Sequence, residues 1–291
     1  MKRGNAQGAE QRGQQASGGM VGWLAAPVRR ALPGPYHVLR MTRHKIRARR
    51  LRRVLRVVLA KHGLVVQSGP FAGMRYTPGV IDSALGTPRA LGSALIPKLL
   101  GCYEAELQGV LEGALERGYA EVIDIGSAEG YYAVGLALRL PGARVHAFEV
   151  DGLRRRLCAE MARANGVAER VVMAGACDGA ALAALASGHP LVVCDCEGYE
   201  LDLLQPDVIP GLRGCDLLVE LHDSANPIIS ETILARFAPS HDLTLIQSAE
   251  MHPADYPALL SLGADDQRFA LSEERPPGMQ WVFMQAKRAG S

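Results

Sequence analysis

EVIDIGSAEGYYAVGLALRLPGARVHAFEVD, residues 121–151, reads as strand, glycine turn, helix, second strand and acidic end. Val122, Ile123 and Ile125 form the short β-branched run expected of a strand buried on both faces of a parallel sheet. Gly126 and Gly130 bracket a tight turn, where glycine permits positive φ and lets a ligand approach the backbone. Residues 131–140 are helix formers, stopped by Pro141-Gly142. Residues 144–148 then make a second strand, with Glu149 at its carboxyl end. Together they form the first β-α-β unit of a doubly wound sheet, in which ligands bind beyond the carboxyl ends of the strands.

The turn selects among ligands. A dinucleotide site uses G-x-G-x-x-G so that a pyrophosphate can rest on the helix N-terminus. Here the turn is Gly126-Ser127-Ala128-Glu129-Gly130, which lacks the middle glycine and carries an acid where a diphosphate would lie. Asp124 adds a second negative charge. Like charges a few Å apart repel by about 1 kcal/mol even when solvated, so the turn suits a cationic ligand and points to S-adenosylmethionine. A bare structural turn would have no use for acids at both strand ends.

At 291 residues and 48% hydrophobic, the chain can bury one full α/β core plus an appended segment. No run of eighteen apolar residues occurs, and residues 20–28 make a poor secretory signal because arginines follow them. The six cysteines form no C-x-x-C pair, so reduced, buried thiols and a cytoplasmic location are expected. Charge is divided unevenly. Residues 1–81 hold sixteen Lys and Arg against one acid, Glu10, whereas residues 82–291 hold sixteen against twenty-nine.

Residues 1–28 are Gly-, Gln- and Ser-rich at the start and are expected to be a disordered tail. Residues 29–63 form a basic helical arm in which Leu51, Val54, Leu55, Val58 and Leu59 repeat with helical period. Three partners stay open for its cationic face: the acidic catalytic domain of the same chain, an anionic membrane surface that would make the protein peripheral, and nucleic acid. The absence of aromatics between Tyr36 and Phe71 weakens the last, since bases would have nothing to stack on. Residues 64–118 read as a hairpin, a loop and a helix, and residues 119–291 as the main α/β domain. Later strands are expected at 170–174, 190–194, 216–221, 241–247 and 279–285, with a variable loop from 248 to 277. The fold class is therefore α/β: a doubly wound, mostly parallel seven-stranded sheet with an N-terminal helical and hairpin extension.

D-I-G-S-A-E-G-Y-Y-A-V, A-F-E-V-D, Asp195-Cys196-Glu197-Gly198-Tyr199-Glu200-Leu201 and Val219-Glu220-Leu221-His222-Asp223 together resemble class I S-adenosylmethionine-dependent methyltransferases, and within them the FkbM-like branch. The resemblance covers roughly residues 64–285 and implies a Rossmann-like methyltransferase fold. It implies a donor site of Asp124, Gly126, Ser127, Ala128, Glu129, Gly130, Glu149, Asp178 and Asp195, with Glu149 on the ribose hydroxyls and Asp178 on the adenine amino group. It also implies that residues 64–118 form a lid, with Arg75, Tyr103 and Glu104 as candidates for lining the pocket. Asp178 equally suits an N-cap, and Glu200 suits plain capping of the helix that follows it.

Asp195 and His222 are the catalytic candidates. A hydroxyl acceptor must lose its proton as it attacks the methyl group, and both residues stand at the ends of adjacent strands. A divalent ion on Asp195, His222 and Asp223 is the less favoured alternative, because the Asp-Asn pair that metal-dependent catechol-type enzymes show is absent. Asp195-Cys196-Glu197-Gly198 lacks the paired prolines used for methylating base or glutamine nitrogens, and neither Cys194 nor Cys196 follows a proline as a carbon-methylating nucleophile does. The expected reaction is O-methylation of a small molecule or saccharide. RNA ribose methylation and a silent nucleotide-binding module with a docking arm are the alternatives.

Overall fold

The computed structural model describes residues 33–86, 94–273, 275 and 279–287, so the expected tail at 1–28 lies outside the described residues. The chain divides into two compact units, Met1–Arg43 and His44–Ser291, and the second contains the sheet and the candidate site. Helix α1 (Pro33–His62) begins in the first unit; from Leu51 its apolar stripe of Leu51, Val54, Leu55 and Val58 is buried in the main core.

After α1, residues 64–76 make a hairpin closed by the Val65–Arg75 bridge. Helices α2 (Pro78–Gly86), α3 (Leu95–Leu100) and α4 (Gln108–Arg117) complete the extension. The sheet then follows: β1 (Glu121–Ile125), α5 (Tyr131–Arg139), β2 (Arg144–Phe148), α6 (Gly152–Ala164), β3 (Val171–Ala174), α7 (Gly179–Leu185), β4 (Leu191–Cys194), α8 (Glu200–Leu203), β5 (Asp216–Leu221), α9 (Ile229–Phe237), β6 (His241–Gln247), α10 (Ala264–Leu271) and β7 (Gln280–Ala286). Its strand order is β3-β2-β1-β4-β5-β7-β6; β1 to β5 are parallel, and β7 pairs antiparallel with both β5 and β6.

Side-chain alternation sends successive residues of each strand to opposite faces. Val122, Leu191, Val193 and Leu218 join the core shared with α1, α5 and α6. Ile123, Ile125, Val192, Cys194, Val219 and Leu221 join the core under α7, α8 and α9. Both faces are therefore covered, as a parallel sheet requires, and the continuous apolar run of β4 follows from it.

Register does the positioning. Ile125 pairs with Phe148 and with Cys194, and Cys194 pairs with Val219. One residue further on, Gly126, Glu149, Asp195 and Glu220 therefore stand side by side across the carboxyl edge of four strands. The expected variable loop at 248–277 differs from expectation: it holds two short 3₁₀ turns and α10. Asp265 and Asp266 occupy the first turn of α10, where the helix dipole favours acids, while its buried residues Ala270 and Leu271 come only at its end. Asp266 accepts from Arg50 Nε at 2.8 Å and from Arg53 Nη2 at 2.6 Å on α1. No helix among the described residues is long and apolar enough to cross a membrane, and the six cysteines are free thiols.

Candidate active site

A cavity of about 410 Å³ opens at the carboxyl ends of β1, β2 and β4, within the size range of small-molecule sites. Its floor is the backbone of Gly126. That residue has φ +90°, and its N–H donates to the Phe148 carbonyl at 2.9 Å. A Cβ there would stand 1.8 Å from the Asp195 carbonyl oxygen, so only glycine allows β1 and β4 to pass this closely at the cavity. Ala128 follows at φ +47°, a left-handed conformation that costs a non-glycine residue about 1 kcal/mol. The twist aims the Ala128 N–H at Glu149 Oε2, 3.0 Å away, while Glu149 Oε1 accepts from the Asp151 N–H at 2.7 Å. Glu149 is thus a buried carboxylate fixed at the cavity wall by two backbone donors.

Asp178 lies on the same wall and caps α7 by accepting from Ala181 N–H at 2.8 Å, so capping and a place on the cavity coexist. Of the residues that sequence proposed for the donor, Gly126, Ala128, Glu149, Asp178 and Asp195 line the cavity. Asp124, Ser127, Glu129 and Gly130 do not; they form the layer that supports the turn. Gly130 caps α5 at φ +99°, and a Cβ there would lie 2.7 Å from Cys158 Sγ. Asp124 and Ser127 are buried, with Asp124 Oδ2 and Ser127 Oγ lacking hydrogen-bond partners. Burial first, then the charge of Asp195, pushes the Asp124 carboxyl up to about 8.

Glu129 corrects the sequence reading of the turn. Its carboxylate does not face the cavity; it is buried against α3, accepting from Lys98 Nζ at 2.6 Å and from the Tyr76 hydroxyl at 3.3 Å. The Lys98 ammonium also lies over the Tyr103 ring, 4.6 Å from its centroid. The lid candidates diverge as well. Arg75 is exposed, its backbone paired with the Asn165 side chain, and Glu104 is buried in an ion pair with Arg275 and accepts from the Tyr132 hydroxyl. Sequence reasoning missed Phe148, Val150, Arg154, Cys177 and Tyr199 in the cavity wall. Val150 is 76% exposed and Tyr199 49%, apolar surface left open at the rim. An apolar residue between two acids directly after a strand was the available signal for Val150; Arg154 had none.

Beside the cavity, the ends of β4 and β5 bring four acids around one imidazole. His222 and Glu220 are each 3% exposed. His222 Nδ1 donates to Glu200 Oε1 at 2.7 Å, the tautomer set by that acceptor. Nε2 faces Asp195 Oδ1 and Glu220 Oε2, each at 3.5 Å, and Glu197 Oε2 at 3.9 Å. Burial acts to lower the His222 pKa, but the Glu200 hydrogen bond and charge, with Asp195 and Glu197, outweigh it and raise it. Burial pushes Glu220 up to about 11, helped by Asp195 and Glu104 and opposed by Arg275. Glu200 therefore orients the ring as well as opening α8. Asp223, named with Asp195 and His222 as a possible ligand, is turned away: it accepts from Ser230 N–H at 2.8 Å and Ser230 Oγ at 2.6 Å at the start of α9.

A seven-stranded sheet in this order, with β7 reversed between β5 and β6 and the cavity at the β1, β2 and β4 ends, is the Rossmann-like methyltransferase fold. Over 75 residues the chain is 40% identical to the release factor glutamine methyltransferase of Chlorobaculum tepidum, a match spanning 23% of this chain and about a quarter (26%) of that protein. No family model matches the chain. Among solved structures it is similar to cofactor-bound Rv0187 from MTB, at TM-score 0.46 and 19% identity over 72% of this chain and 92% of that one. It is also similar to the O-methyltransferase from Bacillus cereus in complex with SAH, at TM-score 0.41 and 13% identity over 81% of this chain and 90% of that one.

Proposed function

We propose that this chain is an S-adenosylmethionine-dependent methyltransferase of the FkbM-like branch that methylates a hydroxyl oxygen of a small molecule or saccharide. The observation that carries this reading is Glu149. It is a buried carboxylate pinned by the Ala128 and Asp151 N–H groups at the end of β2, facing a cavity whose floor is bare glycine backbone. A carboxylate there accepts from vicinal ribose hydroxyls and repels a diphosphate. Asp178, which also lines the cavity, accepts from the adenine amino group in this reading, and Val150 and Tyr199 offer the apolar surface on which a purine packs. The donor supplies an activated methyl group; the residues of the chain place it and handle the acceptor.

Asp195 is the member of the catalytic pair that an acceptor reaches, its side chain 30% exposed against 4% for His222. Asp195 takes the hydroxyl proton, and His222, its ring held by Glu200, lies behind it. Transfer to a glutamine nitrogen, the activity named for the C. tepidum relative, is the second reading. The segment Asp195-Cys196-Glu197-Gly198, without the paired prolines, disfavours it.

The test is mass spectrometry of cell extract incubated with the enzyme and methyl-labelled S-adenosylmethionine. A label on a hydroxyl oxygen is expected. A label on a glutamine nitrogen would move the assignment to the second reading. Donor uptake with no labelled product would leave a silent binding module.

A further inference from the structure

We propose that Asp195, Glu220 and His222 form a binding site for one divalent transition-metal ion, such as Mn²⁺ or Zn²⁺, at the edge of the cavity. One ligand atom from each of the three lies within 4.8 Å of the other two. Their arrangement suits a cation. His222 gives its Nδ1 proton to Glu200, which leaves the Nε2 lone pair turned toward Asp195 Oδ1 and Glu220 Oε2. Three potential ligand atoms then face one another.

A proton on Nε2 would not satisfy them, because 3.5 Å to each oxygen is too long for a hydrogen bond. The same separation fits shared coordination. Metal–ligand bonds of about 2.0–2.2 Å place neighbouring tetrahedral ligands about 3.3–3.6 Å apart.

Two further features point to an ion. Glu220 is 3% exposed and holds its Oε2 toward the His222 ring, while its Oε1, the oxygen without a hydrogen-bond partner, faces Arg275. Arg275 Nη2 lies 3.5 Å from that oxygen and is shared with Glu104, while Arg275 Nε pairs with Glu273. The Glu200–His222 bond is the outer-shell arrangement that fixes the tautomer and orientation of a metal-bound imidazole. Asp195 opens to the cavity, which leaves coordination positions for an acceptor oxygen.

The donor set also selects the metal: one imidazole with two carboxylates favours Mn²⁺, Fe²⁺, Co²⁺ or Zn²⁺ over Ca²⁺ or Mg²⁺. Sequence alone offered Asp223 as the third ligand. The structure assigns that place to Glu220, because Asp223 is spent on Ser230. Binding stands without any enzymatic activity. Only the ion's consequence, easier loss of the acceptor's proton with Asp195 ligated through Oδ1 and its second oxygen left to accept, rests on the methyltransferase reading.

The experiment uses the full chain, stripped with EDTA and dialysed, titrated with MnCl₂ in the absence of methyl donor. Bound ion is read from the loss of the free Mn²⁺ electron paramagnetic resonance signal. About one ion per chain is expected, with affinity lowered at least about tenfold in Glu220→Gln and in His222→Ala and unchanged in Asp223→Asn. Circular dichroism establishes that each variant is folded. If His222→Ala fails to fold, Glu220→Gln, which keeps the shape of the side chain, decides alone. The proposal is overturned if the stripped wild-type chain takes up neither Mn²⁺ nor Zn²⁺ at millimolar concentration, or if a folded Glu220→Gln binds as wild type does. Either result leaves the methyl-transfer reading to be judged by labelled product. Ion uptake without product would count against that reading alone.

Discussion

Lys98→Met tests how the cofactor turn is held. Lys98 on α3 is 9% exposed and Glu129 3%, and their charged atoms are 2.6 Å apart. Methionine keeps most of the lysine stem's volume but loses the ammonium's contacts over the Tyr103 and Tyr131 rings, and leaves a buried carboxylate with the Tyr76 hydroxyl as its remaining side-chain partner. Stranding one member of a buried pair costs about 3–5 kcal/mol, a large share of a domain's stability.

The pH dependence gives the sign. In the wild type, burial acts to raise the Glu129 pKa, but the Lys98 charge and hydrogen bond outweigh it and lower it. The pair therefore adds stability that is fully present above the unfolded carboxyl value of about 4.3 and fades as pH falls through the folded one. In Lys98→Met burial acts without the lysine, and the Glu129 pKa rises above the unfolded value. The deficit of the variant is then largest at neutral pH and closes as acid protonates Glu129.

Urea unfolding followed by circular dichroism at about pH 7.5 and about pH 5 measures both. Lys98→Met/Glu129→Gln should recover much of the loss at neutral pH, because the amide removes the stranded charge. A Lys98→Met variant that loses less than about 1 kcal/mol at neutral pH, or whose deficit does not shrink in acid, would refute this account of the turn.

Three other substitutions separate the cavity from its supports. Gly126→Ala drives a methyl group to 1.8 Å from the Asp195 carbonyl at φ +90°, so a stability loss of about 2–5 kcal/mol with loss of donor binding by calorimetry is expected. Asp178→Ala removes the α7 cap, lowering stability by about 1 kcal/mol, and should also weaken donor binding by about tenfold; unchanged affinity would restrict Asp178 to capping. Tyr199→Ala trims an exposed aromatic at the rim. It should weaken donor binding severalfold with the melting temperature unmoved, and equal affinity would remove Tyr199 from the site.

The sheet was legible because its signals are local. Strand β1, its turn, α5 and β2 are contiguous, and the end of each strand fixes the next residue at the carboxyl edge, which is why Glu149 and Asp195 fall where sequence expected them. Alternation along β5 also places Glu220 and His222 on one side. What could not be read depends on partners far away in the chain. Glu129 seemed available to a cationic ligand because its lysine lies 31 residues earlier, on another element. The helix within 264–271 was hidden because two acids open it and its apolar residues cluster at its end, so no repeat announces it; its anchor is a pair of arginines more than 200 residues away. Asp223 and Glu220 exchanged places as neighbours of His222 because a serine on α9, invisible to local pattern, captures Asp223.

The central claim is that the cavity beyond β1, β2 and β4 takes a sulfonium nucleoside rather than a dinucleotide. Isothermal titration of the purified chain with S-adenosylmethionine and, separately, with NAD⁺ tests it most directly. One saturable site for S-adenosylmethionine, absent in Gly126→Ala and competed by S-adenosylhomocysteine, is the predicted result. Tighter binding of NAD⁺, or donor binding unaffected by Gly126→Ala, would contradict it.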